Sequence, residues 1–278
     1  MQTALTIAGS DCSGGAGIQA DLKTFAVHGV YGTSALTAVV AENTCGVLGV
    51  HPIPPQMVSL QLTAIFSDIP PDAVKIGMLT DDKILAAVSQ SLRRYKPSHI
   101  VLDPVLCAKD GSPLLAPNAL ALLQQELFPQ LELVTPNLPE AEVLVGHPIS
   151  TWHEREEAAR AIAAQGPRSV LVKGGHGTGD ATDLLFDGAT FHRFQAPRLA
   201  GPPAHGTGCT LSAAIAANLA LGHSLVDSVA FAKKYMTGAI GHQLPLGAGA
   251  HPTHHFFELY QKAGLPQIKP FAQEGELK

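Results

Sequence analysis

Thr3-Ala4-Leu5-Thr6-Ile7-Ala8 reads as a short buried strand, Gly9-Ser10-Asp11-Cys12-Ser13-Gly14-Gly15 as a polar turn, and Ala16 to His28 as a helix. The helix is amphipathic, with Ile18, Leu22, Phe25 and Ala26 on one face. A strand that turns directly into a helix is the first half of a βαβ unit, and the rest of the chain repeats the alternation. Strands are predicted at about 34–40, 73–76, 99–102, 133–135 and 169–172. Helices are predicted from Pro54-Pro55 onward and at 81–95, 117–127, 152–165, 209–221 and 225–242, with another starting at Pro136-Asn137. A hairpin at 182–186 and 190–195 turns around Asp187-Gly188. Alternation of this kind specifies an α/β fold, a mostly parallel sheet covered by helices on both faces.

In such sheets ligands bind beyond the carboxyl ends of the strands. The polar residues fall there: Asp11 to Gly15, Glu42-Asn43, Lys75 to Met78, Asp103, Asn137 with Glu140, and Lys173. A second glycine-rich stretch, Ala204-His205-Gly206-Thr207-Gly208-Cys209-Thr210, feeds the apolar run Leu211 to Ala217. A helix that starts on such a turn directs free N–H groups and its positive dipole end at one spot, which suits a phosphate. Cys209 lies inside that field, which lowers the expected pKa of its thiol. The same residues also fit a loop before an ordinary Ala-rich helix.

The chain has 278 residues, 46% hydrophobic and 15% charged, enough for one large domain or two small ones. A net charge of −5 without a long basic run argues against a nucleic-acid partner. The apolar stretches are too short for a membrane span, and the N-terminus lacks the basic start of a signal peptide. The four cysteines form no CxxC pair, which points to free thiols in a reducing, cytoplasmic setting.

Several motifs carry competing readings. Gly15-Ala16-Gly17-Ile18-Gln19-Ala20 matches a dinucleotide turn, with Glu42 where a ribose ligand would sit, so a Rossmann-type NAD-dependent oxidoreductase is one alternative. The long polar turn and Asp21, close to where a pyrophosphate would lie, weigh against it. Asp21 reads better as a ligand-recognition residue, or as a solvated helix aspartate. Asn137 and Glu140 suit Mg²⁺ held with a nucleotide phosphate, or a capping box. Asp103 orients a metal or caps a turn, and Lys173 meets phosphate charge or solvent. The loop 105–113 is polar and long enough for a lid. His251, His254 and His255 lie in a Pro/Gly-flanked tail and are not read as a zinc site. Neither a P-loop nor a G-x-S-x-G elbow occurs.

Together, the motifs resemble the hydroxymethylpyrimidine/phosphomethylpyrimidine kinases of thiamine biosynthesis, within the ribokinase-like superfamily. The carriers are Leu5 to Asp11 with Ser13 to Thr24, Lys75-Ile76-Gly77-Met78-Leu79, Leu102-Asp103-Pro104-Val105, Thr135 to Ala141, Lys173-Gly174-Gly175-His176 and His205 to Ala214. The resemblance spans about residues 3–258. It implies a three-layer α/β/α sandwich, one kinase domain over 1–260 and a C-terminal tail, 261–278. It further implies ATP-dependent phosphorylation of the pyrimidine alcohol and then of its monophosphate, a Mg²⁺ requirement and a homodimer. By position, Asp21, Glu42, Met78 and Val105 match the pyrimidine pocket. Asn137, Glu140 and Lys173 match the nucleotide side, with Asp103 and Glu140 toward Mg²⁺. Gly206, Gly208, Cys209 and Lys173 match the catalytic groups, Cys209 as the base for the alcohol. A pyridoxal or pyridoxine kinase of the same superfamily is the sister alternative. The family usually has Gln where this chain has Glu42; a carboxylate only accepts hydrogen bonds, so substrate preference is expected to change.

Overall fold

The computed structural model describes residues 1–106, 117–175 and 180–266. From residue 107 on, the loop expected as a lid lies outside the described residues, as do Cys107, His176 and residues 267–278 of the tail.

The first half of the chain comprises β1 (Thr3–Ala8), α1 (Gly17–Val27), β2 (Tyr31–Leu36), β3 (Ala38–Asn43), β4 (Gly46–Pro52), α2 (Pro55–Asp68), β5 (Ala73–Ile76), α3 (Asp82–Tyr95) and β6 (His99–Leu102). There follow α4 (Pro117–Leu122), β7 (Leu133–Val134), α5 (Leu138–Val145), α6 (Trp152–Ala163), β8 (Ser169–Val172), β9 (Asp183–Phe186) and β10 (Phe191–Phe194). The C-terminal part holds β11 (Ala204–His205), α7 (Thr207–Ala220), α8 (Leu225–Gly241), β12 (His251–Pro252) and α9 (Phe257–Lys262).

Eight strands form the main sheet in the order β10-β9-β8-β7-β6-β5-β1-β2. β2, β1, β5, β6, β7 and β8 pair in parallel, and β9 alone runs against its neighbours. The period-2 alternation of side chains assigns the layers. Leu5, Ile7, Val74, Ile76, Ile100, Leu102, Val134 and Val170 join one apolar cluster with residues of α2, α3, α5 and α6. Ala4, Ala73, Val101, Leu133 and Leu171 join the other with α1, α7 and α8. This is the expected three-layer α/β/α sandwich. Small residues on both partners let α7 pack close to the middle of the sheet: Ala4 and Ala73 face Ala213, Ala214, Ala216 and Ala217, and every residue of α7 from Thr210 to Ala220 is buried. Burial all around a helix requires an apolar sequence all around it, as Leu211 to Ala217 nearly is.

The strand expected at 34–40 is two strands. β2 ends at Leu36, and Thr37 leaves the main sheet, its N–H donating to Ala8 O at 3.0 Å and its hydroxyl to Met78 O at 2.7 Å. β3 then pairs antiparallel with β4, which the polar run Glu42-Asn43-Thr44 had concealed. Asn43 Oδ1 accepts the Cys45 and Gly46 N–H groups and closes the turn. Strand propensity is continuous across Thr37, so it gives no sign that the chain changes sheets.

Candidate active site

The carboxyl ends of the parallel strands deliver the polar groups to one edge. Asp103 follows β6, Asn137 stands just beyond β7, and Lys173 follows β8, with Asn137 and Lys173 joined in a parallel bridge. Facing them is the start of α7. Its N-cap, Gly206, has φ of 78°, in the left-handed region, and a Cβ there would fall 1.7 Å from Gly15 O. Gly206 brings no capping side chain, which suits the first-turn N–H groups to an anion. Gly208 keeps that end close to the charged groups, since a Cβ on it would lie 2.9 Å from Asp103 Oδ2 and 3.4 Å from Lys173 Nζ.

Lys173 Nζ donates to Asp103 Oδ1 at 2.6 Å and lies 4.0 Å from Glu140 Oε2. Burial alone would lower the ammonium pKa, but the Asp103 and Glu140 carboxylates hold it above its usual value, so Lys173 is charged. Burial and the Asp103 charge push Glu140 up to about 7, against the pull of Lys173. Two nearly buried carboxylates thus share one ammonium. The capping reading of Asn137 and Glu140 also holds: Asn137 Oδ1 accepts the Glu140 N–H at 2.9 Å, and Glu140 Oε2 accepts the Asn137 N–H at 2.8 Å. The capping box orients both side chains at the cleft without removing them from it.

A cleft of about 1060 Å³ holds Asp103, Val105, Glu140, His205 and Cys209 on its walls. A second, of about 550 Å³, extends toward Asp183, Arg198 and Lys233. They share Asn137, Lys173, Thr207 and Gly208. Two clefts that meet at a helix N-terminus and a lysine provide one place for each of two reactants.

Cys209 corrects one expectation. Burial pushes its thiol up to about 11, aided by the Asp21 and Asp103 charges, while Lys75 and the Gly17 N–H pull the other way. The helix field read from sequence is present, but desolvation outweighs it. Asp21 is not a solvated helix aspartate: it is fully buried, accepting from Lys75 Nζ at 2.8 Å and from the Thr6 hydroxyl at 2.6 Å. Its Oδ1 has no hydrogen-bond partner among the described residues and retains capacity for a donor. Lys75 is likewise fully buried, beneath the edge rather than on it. The signal was local: Lys75 interrupts Ala73-Val74-Lys75-Ile76 on an inward-facing position, which demands a buried carboxylate.

Met78 stands half-buried at the end of β5, where a Cβ on Gly9 would fall 2.6 Å from its methyl and 3.6 Å from Val40 Cγ2. Glu42 lies on β3, and its backbone O accepts from the Cys12 thiol at 3.0 Å. Its carboxylate comes within 4.8 Å of Asp11 and His205 ligand atoms. Sequence reasoning missed this grouping. Asp11 is already saturated by N–H donors from Ser13, Gly15, Ala16 and His205, so the group is a hydrogen-bond hub rather than a metal site. The same bonds dispose of the dinucleotide reading: the Gly15 and Ala16 N–H groups that would hold a pyrophosphate are taken by the Asp11 carboxylate.

A helix N-terminus, a lysine and paired carboxylates at the carboxyl edge of a doubly covered parallel sheet define a phosphotransferase of the ribokinase-like class. Residues 11–254 match the family described as Phosphomethylpyrimidine kinase, and the chain belongs to that family. It is 51% identical over 252 residues to "Thiamine biosynthesis bifunctional protein ThiED" of Geobacter sulfurreducens, covering 90% of this chain and 51% of that longer protein. It is 50% identical to "Hydroxymethylpyrimidine/phosphomethylpyrimidine kinase" of Rhizobium meliloti, covering 91% of this chain and 96% of the relative. Among solved structures, an ADP complex of Bacillus subtilis pyridoxal kinase superposes with a TM-score of 0.85 at 38% identity, over 92% of this chain and 98% of that one.

Proposed function

We propose that this kinase transfers the γ-phosphoryl group of ATP to the hydroxymethyl group of 4-amino-5-hydroxymethyl-2-methylpyrimidine, and then to the phosphate of the resulting monophosphate, as a step in thiamine biosynthesis. The observation that carries the reading is the uncapped start of α7, Gly206 to Cys209, set against Lys173, Asp103 and Glu140 where two clefts meet. A transferring phosphoryl group needs positioning and charge stabilisation more than covalent chemistry. The N–H groups of residues 207–209 and the Lys173 ammonium supply both for its oxygens.

Asp103 and Glu140 would hold Mg²⁺. The fit rests on their charge: among the described residues the two carboxylates share Lys173 as their one ion-pair partner, and burial and the Asp103 charge hold Glu140 up at about 7 despite it. The ion neutralises phosphate charge when bound. Asn137 and Glu140, locked in their capping box, orient the nucleotide side. Met78, Val105 and Glu42 bound the pyrimidine, Glu42 reading its amino edge, while the buried Asp21–Lys75 pair sets the field under Cys209. Cys209 takes the alcohol proton in the first reaction; the second acceptor is already an anion and needs little base help.

A pyridoxal kinase is the second reading, favoured by the close superposition on the Bacillus subtilis enzyme. The relatives of higher identity carry a thiamine-biosynthesis name or the pyrimidine-kinase name, which supports the first. Exposed Val47, Leu48 and Val50 on β4 suit burial against a second copy in a homodimer. Exposed free Cys12 and Cys45 suit a reducing cytoplasm. The unit of activity in this reading is the domain 1–260. Mass analysis of products tests the two-step assignment: the alcohol and excess ATP should yield monophosphate and then diphosphate. Accumulation of monophosphate alone would remove the second activity.

A further inference from the structure

The turn after β1 and the loop before α7 are separated by 194 residues, yet they are locked together in space. Asp11 is the hub. Its Oδ1 accepts the Ser13 N–H at 2.7 Å, and its Oδ2 accepts the Gly15 N–H at 2.9 Å, the Ala16 N–H at 2.6 Å and His205 Nε2 at 2.9 Å. Only 1% of the residue is exposed. Burial alone would raise its pKa, but the bonds from His205, Ser13 and Ala16 hold the carboxyl well below the usual range, so the acceptor is a carboxylate.

His205 immediately precedes Gly206, the N-cap of α7. The two loops touch without slack: a Cβ on Gly15 would fall 2.4 Å from His205 Cδ2, as one on Gly206 would fall 1.7 Å from Gly15 O. From the other side, β11 pairs His205 with Pro252 of β12, and the His251 N–H donates to Pro203 O at 2.9 Å. The His205 backbone is therefore fixed by β12, and its side chain by Asp11. The turn 11–16, which meets the proposed pyrimidine residue Glu42 through Cys12 and Asp11, and the N–H groups of 207–209 have this bridge in common.

We propose that His205 is a positioning residue for phosphoryl transfer, its Nε2–Asp11 bond setting the first turn of α7 in register with the turn 11–16 and so aligning the acceptor oxygen with the transferring group. The proposal rests on the kinase reading. If the wild type fails to turn over in the same assay, that reading fails and not the bridge. Misalignment by about 1 Å costs on the order of 100-fold in rate while leaving ground-state binding intact.

The test compares three variants at saturating ATP. His205→Gln places its amide nitrogen where Nε2 was, retains the donor, and should keep kcat within about fivefold of wild type. His205→Asn is too short to reach Asp11, and Gly15→Ala pushes the ring away while leaving both polar groups in the chain. Each should lose on the order of 100-fold in kcat, with KM for ATP and for the pyrimidine within about threefold. Equal activity of the Gln and Asn variants would overturn the proposal, as would a loss confined to KM. If the Asn and Ala variants fail to fold while Gln folds, or if their losses follow the drop in melting temperature, the bridge is structural and the proposal fails.

Discussion

The Cys209 thiol makes a prediction that depends on its position and not merely on its presence. Burial raises it to about 11, so at pH 8 roughly one thiol in 1,000 is ionised, and each further pH unit multiplies that fraction about tenfold. Forming the thiolate at pH 8 costs about 4 kcal/mol. If the thiolate takes the proton of the alcohol, log kcat for that acceptor should climb with a slope near one between about pH 7 and about pH 9.5. The monophosphate acceptor has no proton to surrender and should show no such slope. Cys209→Ala should flatten the alcohol profile and lower its kcat at pH 8 on the order of 100-fold, with less than about threefold effect on the monophosphate. Both profiles are read in a coupled ADP-release assay with the coupling enzymes in excess at every pH. Equal slopes for the two acceptors, or an alcohol profile that keeps its slope in Cys209→Ala, would refute the base assignment and leave Cys209 acting through shape alone.

Three further perturbations follow from named contacts. Glu42→Gln gives the edge a donor as well as an acceptor and should shift the ratio of specificity constants for alcohol and monophosphate by roughly tenfold, about one good hydrogen bond; an unchanged ratio removes Glu42 from recognition. His255 is buried on α7 through Thr210 at 3.1 Å, and burial depresses its imidazole from 6.5 to about 4. The unfolded chain therefore binds the extra proton first, and stability is retained above about pH 6.5 and lost as pH falls toward 4, by about 3 kcal/mol in all. Urea titrations between those pH values should show a shallower loss in His255→Gln; parallel curves would assign the acid lability elsewhere. Leu48→Glu places a charge on the 79%-exposed apolar tip of the β3–β4 hairpin and should convert the proposed homodimer into monomer in sedimentation, whereas a wild type that sediments as monomer, or a variant that stays dimeric, would remove the interface from this face.

Much of the architecture is local and could be read from the chain. Short apolar runs alternating with amphipathic segments give the sandwich, and the residues just past Leu102, Val134 and Val172 give the site edge. The pair Asn137 and Glu140 was legible as a cap, and the same spacing leaves both side chains facing the cleft where a ligand role is proposed. What was not legible depends on distant packing. Cys209 was read from its helix field, but its pKa is set by burial contributed by other elements. Asp21 was read by its helix position, but its partners Lys75 and Thr6 come from two strands. Asp11 looked like turn punctuation, because its fourth donor, His205, lies 194 residues away. The missing hairpin strand, β4, escaped because all seven of its residues are exposed and leave no alternating pattern to read.

The central claim concerns which ring carries the phosphoryl acceptor. Specificity constants for the aminopyrimidine alcohol, its monophosphate and pyridoxal, measured by ADP release with one preparation of the chain, test it directly. Both pyrimidines should be phosphorylated, with pyridoxal at least about tenfold poorer, the discrimination expected from losing one hydrogen-bonded edge. Turnover of pyridoxal with both pyrimidines inert would contradict the assignment.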